Sequence, residues 1–469
     1  MPLASSFPLS RRTVLAGLGV SLFALGLPSR GLAAANPTIL TAAPASLKLG
    51  GEGGPATATL AYNGTTPGPL VRARQGEEVF VRLVNGLDRP TTLHWHGVRI
   101  ANAMDGAAGL TQDPVPPGGS FDYRFIVPDA GTYWYHPHVH GETARQLDAG
   151  LYGILVVEEA QPLTVDRDLL LVIDDWSLGS DGQILPPSPA DAMHAGRIGQ
   201  KITVNSKPLE EIELAPNERL RLRIVNVANA RVAAIALAGF QSYVVAIDGQ
   251  PTNAPFVPEN GRIDLPPGGR ADLFIDGVLK PGAPAGIAMN NEGEIVELLR
   301  LSQGTGTPKR AAALPAPGPL RSNKLPADFA LQKAKRFEVV MDGGPKMDAS
   351  GQMQHHMGGD PQSIWSFNGI SSSGHGGKPI FSVKRGTLVT LGLANKSIFS
   401  HAIHLHGHAM RILHPFDDGW QPYWVDSVLV KDGETVHVAF LADNPGKWML
   451  HCHMLEHQEA GMSAWFEVT

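Results

Sequence analysis

Val71-Arg-Ala-Arg-Gln-Gly-Glu-Glu-Val-Phe-Val-Arg-Leu-Val-Asn85 alternates apolar and polar side chains on both sides of Gln75-Gly76. Successive residues of a strand point to opposite faces, so this alternation reads as two half-buried strands joined by a tight turn. The pattern recurs as Ile212-Glu-Leu-Ala-Pro-Asn-Glu-Arg-Leu-Arg-Leu-Arg-Ile-Val-Asn226 and as Phe381-Ser-Val-Lys-Arg-Gly-Thr-Leu-Val-Thr-Leu-Gly-Leu-Ala-Asn395. Each copy is preceded by an Asn turn, at Tyr62-Asn-Gly, Val204-Asn-Ser and Phe367-Asn-Gly. A second turn and strand follow in each, beginning at Pro117-Gly-Gly, Pro267-Gly-Gly and Asp432-Gly. A repeat on this scale fixes the architecture before any local assignment. The chain is all-β, built from three consecutive Greek-key β-sandwiches.

Boundaries follow from the repeat and from composition. The first sandwich is expected over 36–160, the second over 161–303 and the third over 327–469, with a Pro/Ala/Gly-rich linker at 304–326. Residues 1–35 read as an export signal. Ser10-Arg11-Arg12 precedes an apolar run from Thr13 to Leu27, and Ala33-Ala34-Ala35 offers a small-residue cleavage site. Paired arginines before a modest apolar segment resemble a twin-arginine signal, so a periplasmic or secreted location is expected. The run is too short to span a membrane. The formal charge is −6, and loss of Arg11, Arg12 and Arg30 would take it to −9. That balance argues against nucleic acid or an anionic membrane as a partner. A monomer is expected.

The repeat also acts as an internal alignment. Nine and eleven residues after Asn85 stand His94 and His96, and the same offsets from Asn395 reach His404 and His406; from Asn226 they reach Ile235 and Leu237. Farther on, Gly131-Thr-Tyr-Trp-Tyr-His136-Pro-His138 aligns with Gly446-Lys-Trp-Met-Leu-His451-Cys-His453. The first and third units therefore carry two His-X-His pairs each, and the middle unit none. Residues i and i+2 of a strand share a face, so each pair can present two imidazoles to one side. If the first and third units pack together, eight imidazoles converge on one cavity. Neutral imidazoles suit copper better than calcium or magnesium.

Cys452 is the single cysteine of 469 residues, and Pro137 occupies the matching position in the first unit. An exported protein with one lone cysteine needs a chemical reason for it. The flanking histidines point the other way, so the thiolate belongs to a different site. His457 and Met462 follow it, and His401, where the first unit has Thr91, supplies a second imidazole. Two histidines, a cysteine and a weak axial methionine are the ligands of a blue-copper electron-transfer site.

These motifs, His94-Trp-His-Gly, His136-Pro-His, His401-Ala-Ile-His-Leu-His and His451-Cys-His-Met-Leu-Glu-His-Gln-Glu-Ala-Gly-Met462, resemble the four copper motifs of the three-domain multicopper oxidases. That family includes laccases and bacterial copper-efflux oxidases, and the resemblance covers the whole mature chain with cupredoxin-like sandwiches. It implies four copper ions. His401, Cys452, His457 and Met462 would hold type 1 copper, and His94 and His404 type 2. His96, His136, His138, His406, His451 and His453 would hold the binuclear type 3 pair. The resemblance further implies one-electron oxidation of a phenolic or aromatic donor, or of Cu(I), coupled to reduction of O2 to water; the alternative of another class is a non-catalytic cupredoxin-like structural or copper-binding protein, against which the full ligand set counts. Cys452, joined to His451 and His453, would carry the electrons.

Reduction of O2 consumes protons, and Asp105 matches the acid that serves as proton donor in bacterial members. Where relatives often have a second acid the chain has Gln458. Glu459 beside it is expected to point to the opposite face. Ala402 stands where the family motif has proline and is expected to loosen the loop. Met341, Met347, Met353 and Met357 with His355 and His356 offer soft donors suited to Cu(I), or form only a flexible loop. Phe399 near the type 1 site suits an aromatic donor better. His140, His194, His375, His408, His414 and His437 are expected to be structural or at the surface, with His408 also a candidate to support a metal-binding histidine from behind.

Overall fold

A computed structural model describes residues 36–469 except 50, 52, 162, 280, 281, 292, 349, 351, 355–362, 373–376 and 418. The signal segment 1–35 lies outside the described residues. The described chain is three β-sandwiches. In the first, a sheet of Thr57–Tyr62, Thr38–Leu47, Glu78–Asn85 and Ser120–Ile126 packs on one of Gly68–Arg74, Gly153–Glu158, Gly131–His136 and His94–His96. The second sandwich has sheets of six and five strands, the third two of five. Each sandwich also contains a parallel pair in each of its sheets, among them Thr38–Leu47 beside Glu78–Asn85, Arg167–Trp176 beside Arg219–Asn226, and Lys335–Gly343 beside Thr387–Asn395. Alternation cannot reveal strand direction, so these pairings are visible only in the folded chain.

The asparagine that anchors the repeat has one physical role in all three copies. Asn85, Asn226 and Asn395 are fully buried at the end of their strands. The Asn85 amide donates to the Arg89 and Val115 carbonyls while its oxygen accepts from Leu87 N–H. Asn226 does the same with Arg231, Leu265 and Ala228, and Asn395 with Phe399, Val430 and Ser397. A buried amide must find partners, and each such bond is worth about 1 kcal/mol net. The residue thus staples the strand end to the loop that leads to the next strand. In the first and third sandwiches that next strand carries the histidines.

The registers there are equivalent: His94 lies opposite His136, and His404 opposite His451. Two local expectations fail. Arg219–Asn226 is buried on both faces, because Arg221 and Arg223 pair with Asp272 and Arg223 also reaches Asp168 and Thr132 Oγ1. Charged residues are rarely buried unless paired, and here the pairing partners come from distant strands. Ala402 lies inside the regular strand His401–Leu405, opposite Leu429, and does not loosen a loop. Among the described residues, no helix is long and apolar enough to cross a membrane.

Candidate metal centres

Cys452 ends the strand Gly446–Cys452, facing the core of the third sandwich. Its Sγ lies 3.7 Å from His401 Nδ1 and 3.9 Å from His457 Nδ1, and all three groups are buried. The outer nitrogens are already committed. His457 Nε2–H donates to the His194 carbonyl at 2.6 Å. His401 Nε2 meets Ser397 Oγ at 2.9 Å, and that hydroxyl donates to Asn395 Oδ1 at 2.8 Å, leaving it to accept from the ring. Both Nδ1 lone pairs therefore point inward, only 3.1 Å apart. Met462 is fully buried, and its carbonyl accepts from Cys452 N–H while its own N–H donates to the His457 carbonyl. Burial pushes the Cys452 thiol up to about 12, so a thiolate there depends on a bound cation. Burial brings His457 down to about 4, the neutral state a metal ligand needs.

On the other side of the same strand, His451 Nε2 approaches His406 Nε2 at 3.0 Å and His138 Nε2 at 3.3 Å. His96, His136 and His453 form a second triplet, with ring centres 4.9, 5.5 and 5.8 Å apart. His94 and His404 stand between, 5.8 Å apart. Carbonyls and a carboxylate fix the tautomers, since both only accept. His94 Nδ1–H donates to the Asp105 carbonyl, His136 to Pro137, His404 to Asp426 and His451 to Cys452, all at 2.8–2.9 Å. His406 Nδ1–H donates to Asp105 Oδ2 at 2.9 Å.

The fit to a cation set follows from what this leaves. His94 Nε2, His96 Nδ1, His136 Nε2, His404 Nε2 and both nitrogens of His453 are buried with no hydrogen-bond partner. Each orphaned group costs about 1–3 kcal/mol. The facing lone pairs of His406 and His451 add repulsion. Burial, then mutual repulsion, holds His96, His406 and His453 well below the usual histidine range. Soft and borderline cations answer all three features, and an imidazole set with one thiolate is copper's.

Three multicopper oxidase family models match residues 47–162, 170–278 and 344–469. The multicopper oxidase MmcO of Mycobacterium tuberculosis is 31% identical over 458 residues, covering 90% of this chain and 85% of that protein. This chain belongs to the multicopper oxidase family. The crystal structure of a multi-copper oxidase from Pseudomonas thermotolerans is similar at 32% identity and TM-score 0.80, covering 92% of this chain and 99% of that one. A laccase-like multicopper oxidase from the lignin-degrading bacterium Ochrobactrum sp., with oxidase activity towards lignin model compounds, matches at 26% identity and TM-score 0.74, covering 93% and 98%.

The oxidase thus brings together every histidine expected at the two sites, and Asp105 with them. Asp105 is fully buried, its Oδ2 on His406 and its Oδ1 3.4 Å from His94 Nδ1. Glu459 does not follow the strand argument, because Leu455–Glu459 is a helix with a period of 3.6. Its carboxylate accepts from Ala144 N–H at 2.9 Å, and burial pushes it up to about 7. Gln458 is buried with Oε1 unpartnered. Met341 is withdrawn from the soft-donor cluster, being fully buried in the third sandwich's core. Met347 and Met353 stay exposed, directly opposite one another where the short strands Lys346–Met347 and Met353–Gln354 pair. His355, His356, Met357 and His375 lie outside the described residues.

Several supporting residues were not found by reading the sequence. Asp426 Oδ1 accepts from His96 Nε2 at 3.1 Å, and Ser427 Oγ lies 3.2 Å from His404 Nδ1. Arg270, from the ligand-free middle sandwich, forks onto Asp426 at 2.8 and 2.6 Å. Gly97 completes the His-X-His-Gly motif because a Cβ there, at φ +83°, would lie 2.2 Å from Arg270 Nη2 and 2.5 Å from Asp426 Oδ2. Trp365 packs on His401 and His457, at 4.9 and 4.5 Å, and donates to the Ala192 carbonyl. His194, expected to be merely structural, covers His457 through its carbonyl. His408 donates from Nδ1 to the His406 carbonyl at 3.1 Å, with burial bringing it to about 4. The Asp426-Ser427 pair and the Pro266-Pro-Gly-Gly turn carry no ligand-like signature, so only the packing exposes them.

Proposed function

We propose that this multicopper oxidase is a laccase-like enzyme with four copper ions, exported by the twin-arginine route and acting as a periplasmic or secreted monomer, in sandwiches spanning 36–160, 161–303 and 327–469. His401, Cys452, His457 and Met462 hold type 1 copper, His94 and His404 type 2. His96, His136, His138, His406, His451 and His453 hold type 3. Bound copper supplies one-electron redox chemistry at the first site and reduction of O2 to water at the cluster. The residues do the rest. Cys452 links a thiolate site to His451 and His453 through two peptide bonds, and this adjacency is the observation that carries the reading. Burial excludes water and keeps the imidazoles neutral. Asp105 orients His406 and His94 and holds a carboxyl within reach of the cluster.

An aromatic reductant is favoured by the shell over the type 1 site, where Phe399 lies 6.3 Å from Trp365 and 5.9 Å from His194. Oxidase activity of the Ochrobactrum relative towards lignin model compounds supports the same class. The exposed Met347–Met353 pair favours Cu(I) as a second reading. Oxygen uptake with a phenol and with Cu(I) tests both, comparing the wild type with a chain lacking residues 345–361, which spares the core strand Lys335–Gly343. Loss of cuprous oxidation alone makes the hairpin a copper site. Copper-loaded protein that is colourless and takes up no oxygen refutes the enzyme reading.

A further inference from the structure

His401, Cys452, His457 and Met462 are all fully buried, leaving no ligand atom for a reductant to touch. Both histidines also commit their outer nitrogens to the protein, His401 to Ser397 Oγ and His457 to a backbone carbonyl. That carbonyl belongs to His194, which follows the short helix Pro189–Met193 of the middle sandwich. A capping box between Ser188 and Asp191 closes one end of this segment. At the other end Arg197 N–H donates to Glu456 Oε2 at 3.0 Å, and Gly199 N–H donates to Asp175 Oδ2 at 2.9 Å. Between them the Trp365 indole N–H donates to the Ala192 carbonyl at 2.7 Å. The segment is therefore a pinned cover over His457. The residue that touches His457 from within, His194, is itself only half-buried, and its ring lies 5.9 Å from that of the half-buried Phe399.

We propose that electrons enter this oxidase through His194. A donor ring rests on the His194 and Phe399 side chains without reaching His457, and the electron crosses the hydrogen bond between the His194 carbonyl and His457 Nε2–H. This names the donor class: aromatic molecules that give up one electron without a hydroxyl bound to a ring nitrogen of the site. One electron leaves the donor ring, which becomes a radical cation, and the copper at the Cys452 site gains it. Where the donor is a phenol, its proton then passes to solvent.

Two routes lead inward from the His194–Phe399 contact. Through Phe399 the next ring is Trp365, 6.3 Å away, and Trp365 lies 4.5 Å from His457, so both steps cross contacts between unbonded rings. Through His194 a single hydrogen bond of 2.6 Å joins the backbone to the ligand ring. Electronic coupling falls off far more steeply across a gap than along bonds and hydrogen bonds, which favours His194. The same bond excludes direct attack. A phenol that took His457 Nε2–H for itself would leave the His194 carbonyl buried without a donor, and an orphaned polar group is costly.

The proposal rests on the copper and aromatic-donor reading above, and the test separates the two. Without oxygen, the copper-loaded wild type should be bleached by tetramethyl-p-phenylenediamine, which has no hydroxyl and no N–H. That bleaching should be at least as fast as by hydroquinone, the harder of the two to oxidise. His194→Ala keeps the carbonyl and removes the ring. Its copper content, blue band and potential should match the wild type, while KM for both donors rises about threefold or more. Phe399→Ala, on the other side of the same contact, should do likewise and carries the test if His194→Ala does not fold. Metal-free protein gives a readout apart from turnover: diethyl pyrocarbonate with peptide mapping should modify the exposed His437 and spare His457. Bleaching by hydroquinone alone overturns the route, because the donor then binds His457 itself. Modification of His457 as fast as His437 means that the cover opens, and overturns it too. So does an unchanged KM in His194→Ala, or a lost or shifted blue band there, which marks a structural role. A wild type that binds copper without a blue band overturns the copper reading beneath it.

Discussion

Replacing Arg270 with methionine tests whether the middle sandwich, which has no ligands, holds the cluster together. The side chain is fully buried. Its guanidinium donates twice to Asp426, to the Gly268 carbonyl at 3.0 Å and to the Thr132 carbonyl at 3.3 Å, so it ties all three sandwiches. Methionine fills much of the space but leaves the Asp426 carboxylate buried without a cation. Removing one partner of a buried pair costs about 3–5 kcal/mol. Sandwiches of this size shift by about 2–4 °C per kcal/mol, so the metal-free protein should melt about 6–20 °C lower. Adding Asp426→Asn to Arg270→Met should cost far less than Asp426→Asn alone, because the stranded charge is then gone. Arg72, paired with Glu158 at 3.2 Å and about 40% exposed, is the control, and Arg72→Met should cost under about 1 kcal/mol. Calorimetry of these four variants and the wild type, all metal-free, decides. Arg270→Met melting within about 2 °C of Arg72→Met, or independent costs in the double variant, refutes the argument. Loaded with copper, Arg270→Met should keep its blue band, since Arg270 touches none of His401, Cys452 and His457.

Three further outcomes are expected. Cys452→Ser should abolish the blue absorption and oxidase activity while retaining the cluster copper, because His451 and His453 face the other side of the strand; metal analysis and absorption spectra check it. Gly268→Ala should lower copper occupancy of the histidine cluster with the Cys452 site intact, since a Cβ at φ +83° would lie 2.8 Å from His96 Cε1 and 3.3 Å from His453 Cδ2. The left-handed backbone adds about 1 kcal/mol of strain; full copper occupancy by metal analysis would count against the close approach. Asp248, buried beside the Asp426 charge, has a folded pKa raised from about 4 to about 7, so folding takes up a proton in that window and its contribution to stability falls as pH rises through it. The melting temperature of metal-free Asp248→Asn should therefore gain on the wild type between about pH 4 and pH 8, and parallel curves would contradict the shift.

Much of the oxidase was legible in the chain because its decisive features are local and periodic. Alternation around the Asn85, Asn226 and Asn395 staples gave the sandwiches. A period of two placed His451 and His453 on one face and Cys452 on the other. Counting from the staples placed His94, His96, His404 and His406 in equivalent registers, which the strand pairing reproduces. Where the period changed, the strand argument lost its basis: Glu459 lies on a helix, and its carboxylate accepts from Ala144 N–H.

The sequence by itself determined which side chains could bind metal, since residue type and spacing along one strand settle that. Only the tertiary structure decided which ring nitrogen turns inward and what holds it there. Asp426 reaches His96 across 330 positions, Arg270 reaches Asp426 across 156, and Asp248 joins them from a hairpin turn. A hydrogen bond between sandwiches has no periodicity to read. It exists because burial forces each polar group to find a partner, and the nearest one belongs to another part of the chain.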